Sequence, residues 1–247
     1  MFTPASAQIR DFAENNPKRI KELENLFVGN TNVYIDWANV YRWQGRLKWK
    51  IHQRKIRELY ASFDNVSVPK IYFGTDNTSQ SEKTAEDLKR WGYDFRTKPV
   101  KHMRISINVS SVPSDSVDIL RNLVRQPLLS SLKVSTIESL NKELGVLNSQ
   151  GILHLEDLKC NFDVEIGRDM LLDFERGGVD TYVLWSGDSD FADPIKQLLQ
   201  DGKRVILFMT ANKVATELSE LREMGLKMFE INKVRDAICR DSYLTTS

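Results

Sequence analysis

The sequence predicts an α/β protein: a three-layer, parallel-sheet domain with a helical insertion and an N-terminal helical lead-in. Three observations carry this reading. From residue 31 onward, short apolar runs of strand length alternate with segments of helical periodicity, and such alternation demands a parallel sheet with right-handed crossovers. Two of the runs, Val33-Tyr34-Ile35 and Tyr182-Val183-Leu184-Trp185, stop abruptly at carboxylates. Buried parallel strands behave this way when they deliver acids to the carboxyl-end edge of a sheet. Finally, the alternation breaks between about residues 101 and 158, where Ser, Asn, Val and Leu dominate.

Each element follows in order. Residues 1–30 form the lead-in, with apolar positions at Ile9, Phe12, Ile20, Leu23, Leu26 and Phe27. Asn15-Asn16-Pro17 ends one helix and starts another, because proline suits a first helical turn. The main domain spans 31–240. After the strand that ends at Asp36 comes a loop rich in Trp and Arg, then a helix over 51–63. Residues 68–74 read as the second strand, with Pro69 tolerated near its start. A helix over 81–91 stops at Gly92, and 93–100 is a third strand, also expected to be parallel. The insertion at about 101–158 holds two helices, near 116–129 and 136–147. Fewer than about 60 residues bury only a marginal core, so it is read as packed on the main domain. The pattern resumes with a helix over 164–176, stopped by Gly177-Gly178. Strands at 181–185, 204–209 and 226–231 then alternate with helices at 191–200 and 213–223, and a last helix runs to about Cys239.

Composition bounds the function. The chain has 247 residues, 41% apolar and 28% charged, which is ordinary for a soluble globular protein. A net charge of +1 provides no global basic field, so nucleic-acid binding must come from a local patch. Cys160 and Cys239 lie far apart without metal-ligand spacing, and with no signal peptide the expectation is a reduced, cytoplasmic protein. No run approaches about 18 uninterrupted apolar residues, which excludes a membrane-spanning helix. His52, His102 and His154 form no zinc pattern.

Three acidic segments carry the chemistry. Asp36 ends the first strand and Asn39 follows three residues later. Asp188 and Asp190 follow the strand at 181–185 behind a Ser-Gly turn. Asp163, Glu165 and Asp169 straddle the start of the helix between them. Capping accounts equally well for Asp36, Asn39 or Asp163 taken singly, and an exposed Glu165 is simply solvated. Capping does not account for two acids at one strand exit with a third at the same edge. Carboxylates converging on one rim do not stay ionised without a cation among them. Hard oxygen ligands with no His or Cys select Mg²⁺ or Mn²⁺, and phosphodiester hydrolysis is the expected chemistry of such a site.

Taken together, residues 33–39, 161–170 and 182–208 resemble the NYN family, LabA-like branch, a relative of the PIN and FLAP-nuclease superfamily. The likeness rests on Asp36-x-x-Asn39, on Lys159-Cys160-Asn161-Phe162-Asp163-Val164 with Asp169, and on the complete Ser186-Gly187-Asp188-Ser189-Asp190-Phe191, continued by Gly202-Lys203-Arg204-Val205. The middle motif departs from the family in having extra residues before Asp163 and no glycine there. The resemblance implies a PIN-like, Rossmannoid fold and a metal-dependent ribonuclease. It makes Asp36, Asp163 and Asp188 the main Mg²⁺ or Mn²⁺ ligands. Asp190 and Asp169 act through water or behind the ligands, and Asn39 orients substrate or water.

The region after Asp36 suggests what is brought there. Arg42, Arg46, Lys48, Lys50, Arg54, Lys55 and Arg57 are interleaved with Tyr41, Trp43 and Trp49. Cations for phosphates beside aromatic faces for unpaired bases suit single-stranded RNA; a solvated helix face with Trp43 and Trp49 in the core is the competing account. Lys98, Lys101, His102 and Arg104 form a second basic cluster, and Ser186 joins the substrate-binding candidates. The apolar residues Leu120, Leu123, Val124, Leu128, Leu129 and Leu132 either cover the core or serve a homodimer. A non-catalytic RNA- or protein-binding module is the alternative function. A phosphohydrolase of the haloacid-dehalogenase type is disfavoured, because Asp36-Trp37-Ala38 lacks the second aspartate of its Asp-x-Asp nucleophile motif.

Overall fold

The computed structural model describes residues 1–76, 78–124, 126–210 and 214–240, with the backbone alone at Arg46 and at 157–159. The chain divides into two units, one formed by Met1–Pro99 and the chain from Cys160 onward, the other by Val100–Lys159. The first unit opens with α1 (Ala7–Asn15) and α2 (Pro17–Leu26), followed by β1 (Thr31–Asp36), α3 (Trp37–Leu47), α4 (Gln53–Ala61), β2 (Lys70–Thr75), α5 (Ser79–Arg90) and β3 (Asp94–Pro99). The second unit supplies β4 (Lys101–Ser106), α6 (Gln126–Leu129), α7 (Val134–Ser149) and β5 (His154–Lys159). The first then resumes with α8 (Asp163–Arg176), β6 (Thr181–Trp185), α9 (Ala192–Gln200), β7 (Arg204–Met209), α10 (Thr216–Glu220), β8 (Lys227–Glu230) and α11 (Arg235–Ile238). Among the described residues no helix is long and apolar enough to cross a membrane.

Six strands form a parallel sheet in the order β3-β2-β1-β6-β7-β8. The chain winds outward one way from β1 and the other way from β6. The β1/β6 junction is therefore the topological switch point, beyond whose carboxyl ends open α/β sheets bind ligands. Alternation along each strand sorts side chains between two cores. Val33 and Ile35 pack with Val183 and Trp185 against α1 to α4, while Tyr34, Tyr182 and Leu184 pack against α8 and α9.

Helix α8 lies on the second face and runs from the strand ends back toward their starts. Its residues Glu165, Asp169 and Asp173, each four apart and so on one helical face, meet cations from β2 and β3. Glu165 pairs with Lys98 at 2.7 Å, Asp169 with Arg96 at 3.6 Å and Asp173 with Lys70 at 2.5 Å. Asp173 also accepts from the Tyr34 hydroxyl at 2.5 Å and Asn32 Nδ2 at 2.9 Å.

Two expectations are corrected. The stretch after Asp36 is a helix, because Asp36 caps it and Val40 and Trp43 are buried. The segment 101–158 is not purely helical: β4 and β5 pair antiparallel, and the described residues of 116–129 hold only a 3₁₀ turn at Leu120–Asn122 and the short α6. Pro127 cannot continue a helix arriving from its N-terminal side. Leu120, Leu129 and Ile137 form that unit's own small core, with Val124 and Leu132 packed on it; Leu123 and Leu128 are exposed. The start of the helix expected at 213–223 lies outside the described residues; its described part is α10.

Candidate functional site

Asp36 is the last residue of β1 and the N-cap of α3. Its Oδ1 accepts the Asn39 N–H at 3.1 Å and its Oδ2 accepts from Ser186 Oγ at 3.4 Å. Ser186 follows β6, the strand beside β1, and its Oγ also accepts the Asp188 N–H at 3.3 Å. One buried hydroxyl therefore links the two strand ends at the switch point. Asp163 opens α8, where its N–H donates to Asn161 Oδ1 at 2.8 Å. That asparagine, two residues before the helix, is an Asx-turn signal the sequence reading passed over.

The electrostatics unite Asp36, Asp163, Asp188 and Asp190. Burial raises the Asp36 carboxyl to about 6, with the nearby Asp188 charge adding to the shift and Arg42 opposing it. Burial likewise raises Asp163 to about 7, and the charges of Asp36 and Asp188 and the neighbouring Asp190 carboxyl add to the shift. Both groups hold protons more tightly in the folded chain than in the unfolded one. Their contribution to stability is complete below the unfolded value near 4 and is lost as pH rises through about 6 to 7. Asp163→Asn, which mimics the protonated acid, is thus expected to leave the metal-free Tm unchanged at pH 3.5, below the unfolded value. At pH 8 it should raise Tm by about 2–4 °C, or about 1 kcal/mol after discounting for partial exposure. Melting curves in EDTA at the two pH values check this; an equal change at both would refute it.

Donor chemistry supports a hard divalent cation here. Asp36, Asp163, Asp188 and Asp190 offer hard carboxylate oxygens, and Asp163 Oδ2 is buried without a hydrogen-bond partner among the described residues. As the side chains stand, no group of three or more His, Cys, Asp or Glu among the described residues could hold a metal ion. The carboxylates sense one another's charge without being drawn into a ligand set, as repulsion between ionised acids dictates.

The other predicted residues divide. Arg42, Lys48 and Lys50 are exposed after Asp36, and none of them forms an ion pair among the described residues. The Arg46 side chain lies outside the described residues. Trp43 does not face substrate: it is 1% exposed and stacks on Trp185 at 6.5 Å, because its helical spacing from Val40 turns it inward. Ser186 is fully buried and acts on the carboxylates, not on a ligand. Asp169 lies away from the rim. Six residues of helix separate it from Asp163, about 9 Å of rise, and it accepts from the Tyr72 hydroxyl at 2.8 Å and Arg168 Nη2 at 3.1 Å. Burial pushes the Asp169 carboxyl up, but these bonds and the two arginine charges prevail and hold it below the usual carboxylate range. Lys98 is engaged by Glu165, and Lys101 opens β4 in the second unit.

A six-stranded parallel sheet flanked by helices, with aspartates at its switch point, is an α/β architecture consistent with a PIN-like fold. Residues 104–223 match the model of the NYN domain family. Such domains form a PIN-like nuclease family, generally dependent on a divalent metal and generally RNA-binding. The match is to the family and not to its LabA-like branch; it takes in Asp163, Asp188 and Asp190 but not β1 with Asp36. No curated protein matches the chain. A crystal structure of a protein of unknown function from Vibrio parahaemolyticus is similar, with TM-score 0.52 and 15% identity over 86% of this chain and 96% of that one. At that identity the likeness concerns the fold.

Proposed function

We propose that this chain is a ribonuclease that hydrolyses phosphodiester bonds of single-stranded RNA with Mg²⁺ or Mn²⁺ at the β1/β6 rim. The observation that carries the proposal is the convergence of Asp36, Asp163 and Asp188, with Asp190, at the switch point of a parallel sheet. Asp36, Asp163 and Asp188 would hold the ion directly and Asp190 would complete the set. The ion supplies charge stabilisation at the scissile phosphate and lowers the pKa of an attacking water.

The chain's own groups do the rest. Ser186 holds the Asp36 and Asp188 segments together through the two bonds of its hydroxyl. Asn39, three residues into α3 and half-buried, stands beside Asp36 to orient water or substrate. Arg42 is three residues further along and therefore on the same helical face. It is an exposed guanidinium whose charge reaches Asp36, and it suits a phosphate beside the reacting one. Lys48, Lys50 and the exposed Tyr41 continue this surface for the flanking phosphates and an unpaired base.

Cleavage of labelled single-stranded RNA across a Mg²⁺ and Mn²⁺ titration tests the proposal. Cleavage that depends on the metal supports it; RNA binding without cleavage in either metal supports the non-catalytic module instead. Arg42→Ala is expected to raise the RNA KM and to reduce the slope of log binding constant against log salt by about one, the signature of one lost phosphate contact. An unchanged salt slope would place Arg42 off the RNA path.

A further inference from the structure

We infer that Lys98 is a positioning residue of the carboxylate rim, acting on the start of α8 and not on a substrate phosphate; this rests on reading the rim as a divalent-metal site. Lys98 lies near the end of β3, in register with Gly74 of β2. Its ammonium donates to Glu165 Oε1 at 2.7 Å and stands 4.6 Å from the centroid of the Phe162 ring. Its carbonyl accepts a contact from Cys160 Sγ at 3.9 Å. One residue thus touches the chain at 160, 162 and 165, on both sides of Asp163.

The start of α8 needs such a hold. Phe162 occupies the N-cap position and offers no capping side chain, so among the described residues the Asn161 bond to the Asp163 N–H is the one side-chain hydrogen bond to that turn's backbone donors. An uncapped first turn leaves backbone donors unpaired and frays. Asp163 sits in that turn facing the like charges of Asp36 and Asp188, which push it outward. Phe162 is itself anchored, 2% exposed and 5.9 Å from the Tyr72 ring. The ammonium above it and the Glu165 pair hold the turn down against the repulsion. A lysine engaged on both sides has little reach left for RNA.

Amide exchange and metal binding test this with Lys98→Met, Lys98→Arg, Glu165→Gln and the double variant Lys98→Met/Glu165→Gln. In the metal-free protein, Lys98→Met should speed exchange at the hydrogen-bonded amides of Asp163 and Ile166 by about three- to tenfold, the range for losing a partly exposed ion pair with its cation–π contact. The Mn²⁺ Kd from calorimetry should weaken by a similar factor, while the RNA KM at saturating Mn²⁺ stays unchanged. Glu165→Gln should reproduce both changes, the double variant should be no worse than either single one, and Lys98→Arg should restore most of the loss. Unchanged exchange in Lys98→Met overturns the inference, as does a raised RNA KM with an unaltered Mn²⁺ Kd. Should the wild type bind no Mn²⁺, the metal reading fails and the positioning role falls with it, while the exchange data still report whether Lys98 holds α8. The two failures are therefore distinguishable.

Discussion

Asp36→Asn and Asp188→Asn are each expected to lower Mg²⁺- or Mn²⁺-dependent RNA cleavage by about a hundredfold or more while the chain stays folded. Groups that merely orient a metal ligand are worth about 10- to 100-fold, and these two carboxylates stand in front of such groups. The fold should tolerate the change because neither carboxylate forms an ion pair among the described residues. Asp36 is buried, raised to about 6, and bonded through Oδ1 to the Asn39 N–H and through Oδ2 to the Ser186 hydroxyl; an asparagine oxygen keeps the first bond, and its amide nitrogen can donate to the Ser186 oxygen in place of the second. Initial cleavage rates across a Mn²⁺ titration, read beside far-ultraviolet circular dichroism and melting temperature, make the measurement. Full activity in both variants would remove the rim from the chemistry. Loss of activity with loss of structure would make Asp36 a capping residue instead.

Trp43→Ala separates the two roles offered for that side chain. It is expected to cost about 3–5 kcal/mol of stability, the usual range for truncating a large buried aromatic, and to leave the RNA KM of the remaining folded protein unchanged. Trp43 is 1% exposed and packs 6.5 Å from Trp185, which lies 5.1 Å from Phe208 and donates to the Tyr60 hydroxyl at 2.6 Å. This aromatic column sits under β1, β6 and β7, so a cavity there loosens the strands that present Asp36 and Asp188. Urea denaturation measures the cost. A variant of native stability with a raised KM would return Trp43 to the substrate surface.

Much of this was legible in the chain. Strands at Val33-Tyr34-Ile35 and Tyr182–Trp185 were readable because fully buried parallel strands are continuous apolar runs. The lead-in was readable because Pro17 marks a helix start wherever it stands. Asp36, Asp163, Asp188 and Asp190 stand out in the sequence because each sits where an element begins or ends. The β4–β5 pair was not readable: its strands are 48 residues apart at their nearer ends, Ser106 and His154, and Lys101-His102-Met103-Arg104 offers no clean alternation. The ion pairs of Asp169 and Lys98 were not readable for a related reason. A charged residue looks alike in sequence whether it faces solvent, substrate or a partner on another element.

What the sequence by itself determined is the order of elements and the positions of the acids at strand and helix ends, since both follow from local periodicity and from where apolar runs stop. Only the tertiary structure decided which charges are spent internally. Glu165, Asp169 and Asp173 are taken up by Lys98, Arg96 and Lys70 along α8, whereas Asp36, Asp163, Asp188 and Asp190 have no cation of the chain paired with them among the described residues. Charge pairing depends on distances across the sheet, which sequence separation does not encode, and it leaves those four acids as the group a metal ion would satisfy.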